Sequence, residues 1–179
     1  MDSINKNQEE ENYKDLIGKE ALEKLKSLVD KAKNTCFFCT KIDTGESFST
    51  RPMSVQKIDD EGNLWFLSAA DSSKNKDIDK DPFVQLLFQG SPHSDFLNIY
   101  GKAVISKDKD KIKELWEPMI KAWFTGGQDD PRITVIKITP SEAYYWDTKH
   151  GEAVAFIKTM IGAALSKTMD DSIEGKIKL

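Results

Sequence analysis

Arginine is scarce in this sequence: of its 26 basic residues only Arg51 and Arg132 carry a guanidinium, and the rest are lysines. Bidentate recognition of phosphate or carboxylate favours arginine, so each of the two positions is a candidate for it. Cysteine is just as sparse. Cys36 and Cys39 give no disulfide framework and fit a reducing compartment. On a strand, residues three apart point to opposite faces and lie about 10 Å from each other, beyond the roughly 7 Å Cα limit of a disulfide. A closed zinc site would need both histidines, His93 and His150, as well as both cysteines, so buried structural thiols and no metal are expected. No apolar run approaches the roughly 20 residues that span a bilayer. The first twenty residues hold six acids and three lysines, without the cationic start and apolar core of a secretory leader. A cytoplasmic protein without a membrane span is expected. Neither GxxxxGK[ST] nor GxGxxG occurs, so the usual glycine loops for nucleotides are missing. A formal net charge of −4 gives no bulk field to attract nucleic acid or anionic lipid.

What is present is an ordinary globular composition, 39% hydrophobic and 31% charged over 179 residues, enough for one core. The expected organisation is a flexible acidic tail over residues 1–12, one domain over 13–150, and a C-terminal helix and tail over 151–179. Apolar residues at three- and four-residue steps predict an amphipathic helix over 13–33. Strands are predicted over 35–42 and 46–58, joined at Asp43-Thr44-Gly45, and over 63–68, 83–89, 96–106, 133–138 and 143–146. A short helix capped at Ser72 or Ser73 runs to Lys80. Another spans 108–124 with a break at Pro118, a loop covers 125–131, an apolar helix covers 153–165, and the tail beyond frays. Consecutive hairpins rather than strand-helix alternation indicate a mainly β protein, a barrel of antiparallel strands with flanking helices.

The chemistry-bearing patterns are few. His93-Ser94-Asp95 has the residue types of a hydrolytic triad, yet adjacency in a turn is not triad geometry. Ser72-Ser73-Lys74 would open a helix whose free N–H groups and positive end favour an anion, with two hydroxyls and an ammonium added; equally, one serine merely caps the helix and the lysine is solvated. Arg51-Pro52-Met53-Ser54 places an arginine beside a proline that denies a ladder N–H, the mark of an edge strand whose backbone can face a ligand. Together these segments offer two cations and two or three hydroxyls to one phosphate. Trp65, Trp116, Trp123 and Trp146 could stack on a flat heterocycle or pack a core.

The ordered succession FSTRPMSVQ, DDEGNLWFLSAADSSKNKDI, PFVQLLFQ, LWEPMIKAWFTGGQDDP and ITPSEAYYWD resembles the general stress protein branch of the pyridoxamine 5'-phosphate oxidase-like FMN-binding split barrels. The likeness runs from about residue 22 to about residue 147. It implies a six-stranded antiparallel split barrel and a homodimer with FMN at the subunit interface. By this resemblance Arg51 and Lys74 hold the FMN phosphate, with Ser73 and Ser72 donating to it. Pro52, Met53 and Ser54 carry the edge backbone past the isoalloxazine ring, Leu67 and Ser68 line the ribityl side, and Trp146 or Trp116 closes the cleft. Ser68 stands where many relatives have threonine, and Phe96 where the true oxidases place a glutamine. The C-terminal arginine- and histidine-bearing segment with which those oxidases grip pyridoxine phosphate is missing. The expected activity is accordingly that of a stress-associated flavoprotein, a reductase or oxidase of a small substrate, without pyridoxamine phosphate oxidation and with no catalytic side chain named, since the flavin itself carries the redox chemistry. The alternatives are the same barrel holding deazaflavin or haem, and a dimeric interaction module without turnover.

Overall fold

The computed structural model describes residues 11–42, 45, 47–165 and 169–179. Residues 1–10 of the expected acidic tail, Asp43 and Thr44 of the expected turn, Glu46 at the start of the strand expected over 46–58, and 166–168 lie outside the described residues. The elements are β1 (Leu16–Ile17), α1 (Lys19–Lys31), β2 (Thr35–Thr40), β3 (Ser49–Ser54), β4 (Lys57–Ile58), β5 (Leu64–Ala69), α2 (Ser73–Lys80), β6 (Phe83–Gln89), β7 (Phe96–Ser106), α3 (Lys109–Leu115), β8 (Ile133–Thr148), α4 (Glu152–Leu165) and β9 (Ser172–Lys178). This is a mainly β chain with flanking helices. Its sheet is mixed, because β1 pairs with β9 in parallel while β2 with β3, β5 with β8, and β8 with β9 run antiparallel. The sequence led to six or seven strands; nine form among the described residues. The chain divides into two compact units, one of Asn34–Leu87 and Ile99–Ser141, the other of Phe88–Asn98, Glu142–Leu179 and the described residues through Lys33.

In the unit that contains Asn34–Leu87, the neighbour order is β4-β5-β8-β7-β6-β2-β3, an open path with β3 at one end. Alternation explains its two apolar layers, since successive strand residues face opposite sides. Leu64 and Phe66 of β5 are fully buried, as are Ile136 and Ile138 of β8, and Phe38 of β2 meets Phe66 edge to face at 5.3 Å. On the other face of β5, Trp65, Leu67 and Ala69 pack against Ile112, Leu115, Ile120, Phe124, Ile133 and Val135. The helix expected over 108–124 ends at Leu115. Pro118 has no N–H to continue it, and the chain resumes as a 3-10 turn over Pro118–Ala122. Gly101 is required where it stands, because a Cβ there would meet the Thr139 carbonyl oxygen at 2.6 Å.

In the other unit β9 pairs with both β1 and β8. The helix predicted from residue 13 begins only at Lys19. Gly18 has φ 60, a left-handed conformation that stops a helix from extending backwards, and β1 is recruited by the edge of β9. The segment expected to fray contains β9, whose Ile177 is buried. The two strands expected around Pro140 are one strand: β8 pairs with β5 over Ile133 to Ile138 and with β9 over Ala143 to Thr148. Pro140 falls between those ladders, where neither needs its missing N–H.

Candidate functional site

The best-defined polar cluster forms where β2, β3 and β5 meet the start of α2. Ser72 is the N-cap of α2, in extended backbone, and its Oγ accepts from the Asn75 backbone N–H at 3.3 Å. Ser and Asn at cap and third position are a variant of the capping box. Here the Asn75 side chain also turns inward: its amide donates to Thr134 Oγ1 at 2.9 Å, and its carbonyl oxygen accepts from Ser68 Oγ at 2.7 Å and from Ser72 Oγ at 3.1 Å. Thr134 Oγ1 in turn donates to the Ser68 carbonyl at 3.0 Å. Ser68, Asn75 and Thr134 are each 2% exposed. Buried polar groups are costly unless paired, so this network fixes the first turn of α2 onto β5 and β8.

Arg51 of β3 is held from the other side. One terminal guanidinium nitrogen donates to Thr40 Oγ1 at 2.8 Å, the other lies 3.5 Å from Asp77 Oδ2, and Thr40 Oγ1 donates to the same Asp77 oxygen at 2.7 Å. Lys74, half-buried in the first turn of α2, has its ammonium 3.4 Å from Ser72 Oγ, and among the described residues no carboxylate is paired with it. Burial, and then the positive charge of Arg51, push the Lys74 pKa below its ordinary value. Two cations are thus held near each other at a helix N-terminus, a balance that an anion would restore. The other arginine is engaged differently: Arg132 grips Asp130 with two bonds of 3.0 and 2.7 Å, holding that carboxyl well below its usual range.

Of the residues singled out in the sequence, Arg51, Ser68, Ser72 and Lys74 come together here. Ser73 is the exposed first residue of α2. Pro52, Met53 and Ser54 lie opposite Phe37, Cys36 and Thr35 on β3, whose other edge ends the strand order. Leu67 points away from Ser68, as its place on β5 requires, and its side chain packs on the α3 side. Trp146 belongs to the other unit, where it is 41% exposed and its ring lies 4.7 Å from that of Tyr144; Trp116 is partly buried against the Ile112 cluster. Cys36 and Cys39 are both buried. Of the triad types His93-Ser94-Asp95, Asp95 takes an ion pair from Lys31 and a hydrogen bond from Ser94 Oγ at 3.1 Å; elsewhere His150 Nδ1 lies 2.7 Å from Asp171 Oδ1. Sequence reading missed Thr40, Asn75, Asp77 and Thr134. Asn75 had a local signal in its capping-box spacing from Ser72; the others are distant in sequence and carry none.

A family model described as pyridoxamine 5'-phosphate oxidase like matches residues 20–171. Protein bli-3 of Neurospora crassa is 31% identical over 91 residues, 46% of this chain and 44% of that protein, so the match spans under half the length of the relative. Among solved structures, a Jannaschia sp. CCS1 protein assigned as general stress protein 26 superposes with a TM-score of 0.69 at 23% identity, over 86% of this chain and 97% of the other. General stress protein 26 of Bacillus anthracis str. Sterne gives 0.60 at 23% identity, over 69% and 92% of the two chains. The general stress FMN/FAD binding protein of Xanthomonas citri gives 0.57 at 24% identity, over 67% and 84%. These structural likenesses speak for the fold.

Proposed function

Because this chain belongs to the pyridoxamine 5'-phosphate oxidase-like family, we propose that the cluster around Arg51 and Lys74 is the phosphate site of a bound FMN, and that the protein is a cytoplasmic FMN-dependent oxidoreductase of a small substrate. The observation that carries the reading is the pairing of Arg51 with a half-buried Lys74 at the capped start of α2, an arrangement short of one anion. The chemistry of the cluster fits the group: a guanidinium, an ammonium, hydroxyls and helix N–H groups suit a phosphate monoester. The name of the Xanthomonas citri structure points to the same class of ligand.

On this reading Arg51 and Lys74 neutralise the phosphate, Ser72 and Ser73 donate to it, and the free edge of β3 at Met53 and Ser54 lies along the ring, with Pro52 leaving a gap in the row of N–H donors. Ser68 lines the ribityl chain, as does the backbone at Leu67, and Trp146 of the partner subunit covers the cleft. Bound FMN supplies hydride or single-electron transfer. Strands β2, β3, β5, β6, β7 and β8 make the antiparallel split barrel, to which β1, β4 and β9 are additions. The protein acts as a homodimer with FMN at the subunit interface, and the exposed pair Phe37 and Leu87, directly opposite each other on β2 and β6, is one apolar contribution to that interface.

The test is titration of cofactor-stripped protein with FMN and riboflavin, following flavin absorbance and tryptophan fluorescence. The wild type should prefer FMN. The R51A/K74A double variant should lose at least about a hundredfold in FMN affinity, as expected for two charged hydrogen-bonding groups, while binding riboflavin as before and keeping its circular dichroism. A protein that ignores both flavins, or a double variant with wild-type preference for FMN, overturns the assignment.

A further inference from the structure

Resting on the phosphate reading of that cluster, we infer that Thr40 and Asp77 are positioning residues that set the Arg51 guanidinium for the anion, so that the site's preference for a phosphorylated ligand depends on two side chains that need not touch the ligand. Arginine on a strand has several rotatable bonds, and holding its head in one place costs rotamer entropy that a ligand would otherwise have to offset. Here the cost is met within the fold. Thr40, at the end of β2, is 0% exposed. Its hydroxyl both receives the guanidinium proton at 2.8 Å and donates to Asp77 at 2.7 Å. A threonine hydroxyl has one proton and two lone pairs, so these two bonds fix its direction and close a triangle with the 3.5 Å approach of Arg51 to Asp77.

The triangle ties together three elements, β2, β3 and α2, and α2 also carries Lys74 and Ser72. Helix α2 is therefore anchored twice: through Asn75 to Ser68 and Thr134 on one side, and through Asp77 to Thr40 and Arg51 on the other. Asp77 sits one turn beyond Lys74, close enough to orient the arginine, while Thr40 occupies one face of the carboxylate oxygen that would otherwise be free to draw the guanidinium into a full bidentate pair. Arg132 shows what such a pair looks like in this protein, with both Asp130 oxygens engaged. Arg51 instead shares a single carboxylate oxygen with a hydroxyl, which keeps it available to an incoming anion.

The experiment measures FMN and riboflavin dissociation constants for T40V, T40S, D77N, R51A and the T40V/R51A pair, with thermal midpoints in parallel. Expected results are a fall of about tenfold in the FMN-over-riboflavin preference for T40V, the equivalent of roughly one hydrogen bond to a charged group, recovery in T40S, and an intermediate loss in D77N. In the R51A background T40V should change the preference no further, because Thr40 acts through Arg51. A merely structural role would lower the thermal midpoint and weaken both ligands alike. If R51A lowers the preference while T40V and D77N leave it intact, the positioning role is overturned and the phosphate site stands. If R51A itself leaves the preference intact, the phosphate reading fails, and this inference fails with it.

Discussion

Asn75 shows how much one residue does when its side chain is satisfied on every side. Its amide and carbonyl hold Ser68, Ser72 and Thr134, and of these Ser68 and Thr134 are almost closed to water. Replacing it with leucine strands two hydroxyls, and an unsatisfied buried group costs about 1–3 kcal/mol. N75L should therefore shift the denaturation midpoint to lower urea and weaken FMN binding together, since the start of α2 loses its anchor. The cysteines behave in the opposite manner. Burial, and secondarily Cys39, push the Cys36 thiol up to about 12, and a thiol rather than a thiolate is a poor nucleophile. Native protein should leave Cys36 unmodified by a thiol reagent that labels it promptly in denaturant; rapid labelling of the folded protein would contradict the burial.

Elements are held in place by backbone approach and by buried charge. At Gly175, in β9, a Cβ would lie 2.0 Å from the Lys14 carbonyl oxygen and 2.6 Å from its carbon, and backbone cannot yield as a side-chain tip can. G175A should push the segment carrying β1 off β9, at a cost of about 1–3 kcal/mol for overpacking, seen as faster tryptic cleavage after Lys14. Helix α4 is tied down by Asp171, 2% exposed. Burial would raise that carboxyl, but the Lys158 ammonium at 2.6 Å and the ring and backbone N–H of His150 outweigh it and hold the pKa at about 2. An unfolded aspartate titrates near ~3.9. The folded value is the lower one, so the stabilisation is complete above roughly pH 4 and is lost as pH falls through about 2. Thermal midpoints across that window should fall more steeply for wild type than for D171N, which starts less stable at neutral pH.

For the whole molecule, apolar surface left in water is the main unspent feature. Phe37 is 57% exposed and Leu87 41%, and α4 presents Phe156, Ile157 and Met160 at 68%, 56% and 59%. Large exposed apolar patches mark interaction surfaces. Among the described residues no helix is long and apolar enough to cross a membrane. Light scattering should give twice the 20.3 kDa of the chain. F37D should reduce that to a single chain and weaken FMN binding without disturbing the circular dichroism; a monomeric wild type would remove the proposed interface.

Sequence alone determined what depends on local pattern and composition. The strands predicted over 35–42, 63–68, 83–89 and 96–106, the break at Pro118, a cap at Ser72 or Ser73 and the candidate phosphate ligands Arg51, Ser72, Ser73 and Lys74 all follow from side-chain period, turn chemistry and charge within a few residues. Tertiary structure alone decided what depends on partners far along the chain. The alternation of Ile173, Gly175 and Ile177 became a strand only because β8 and β1 lie beside it. Tyr13 to Ile17 left the helical pattern for the same reason. Pro140 leaves the β5 and β9 ladders whole because β8 passes from one of these partners to the other around it. Thr40 and Asp77, 37 residues apart, carry no shared signal in the sequence; a hydrogen bond of that kind exists only once the fold has brought both ends together, and there it aims the arginine that composition had already marked.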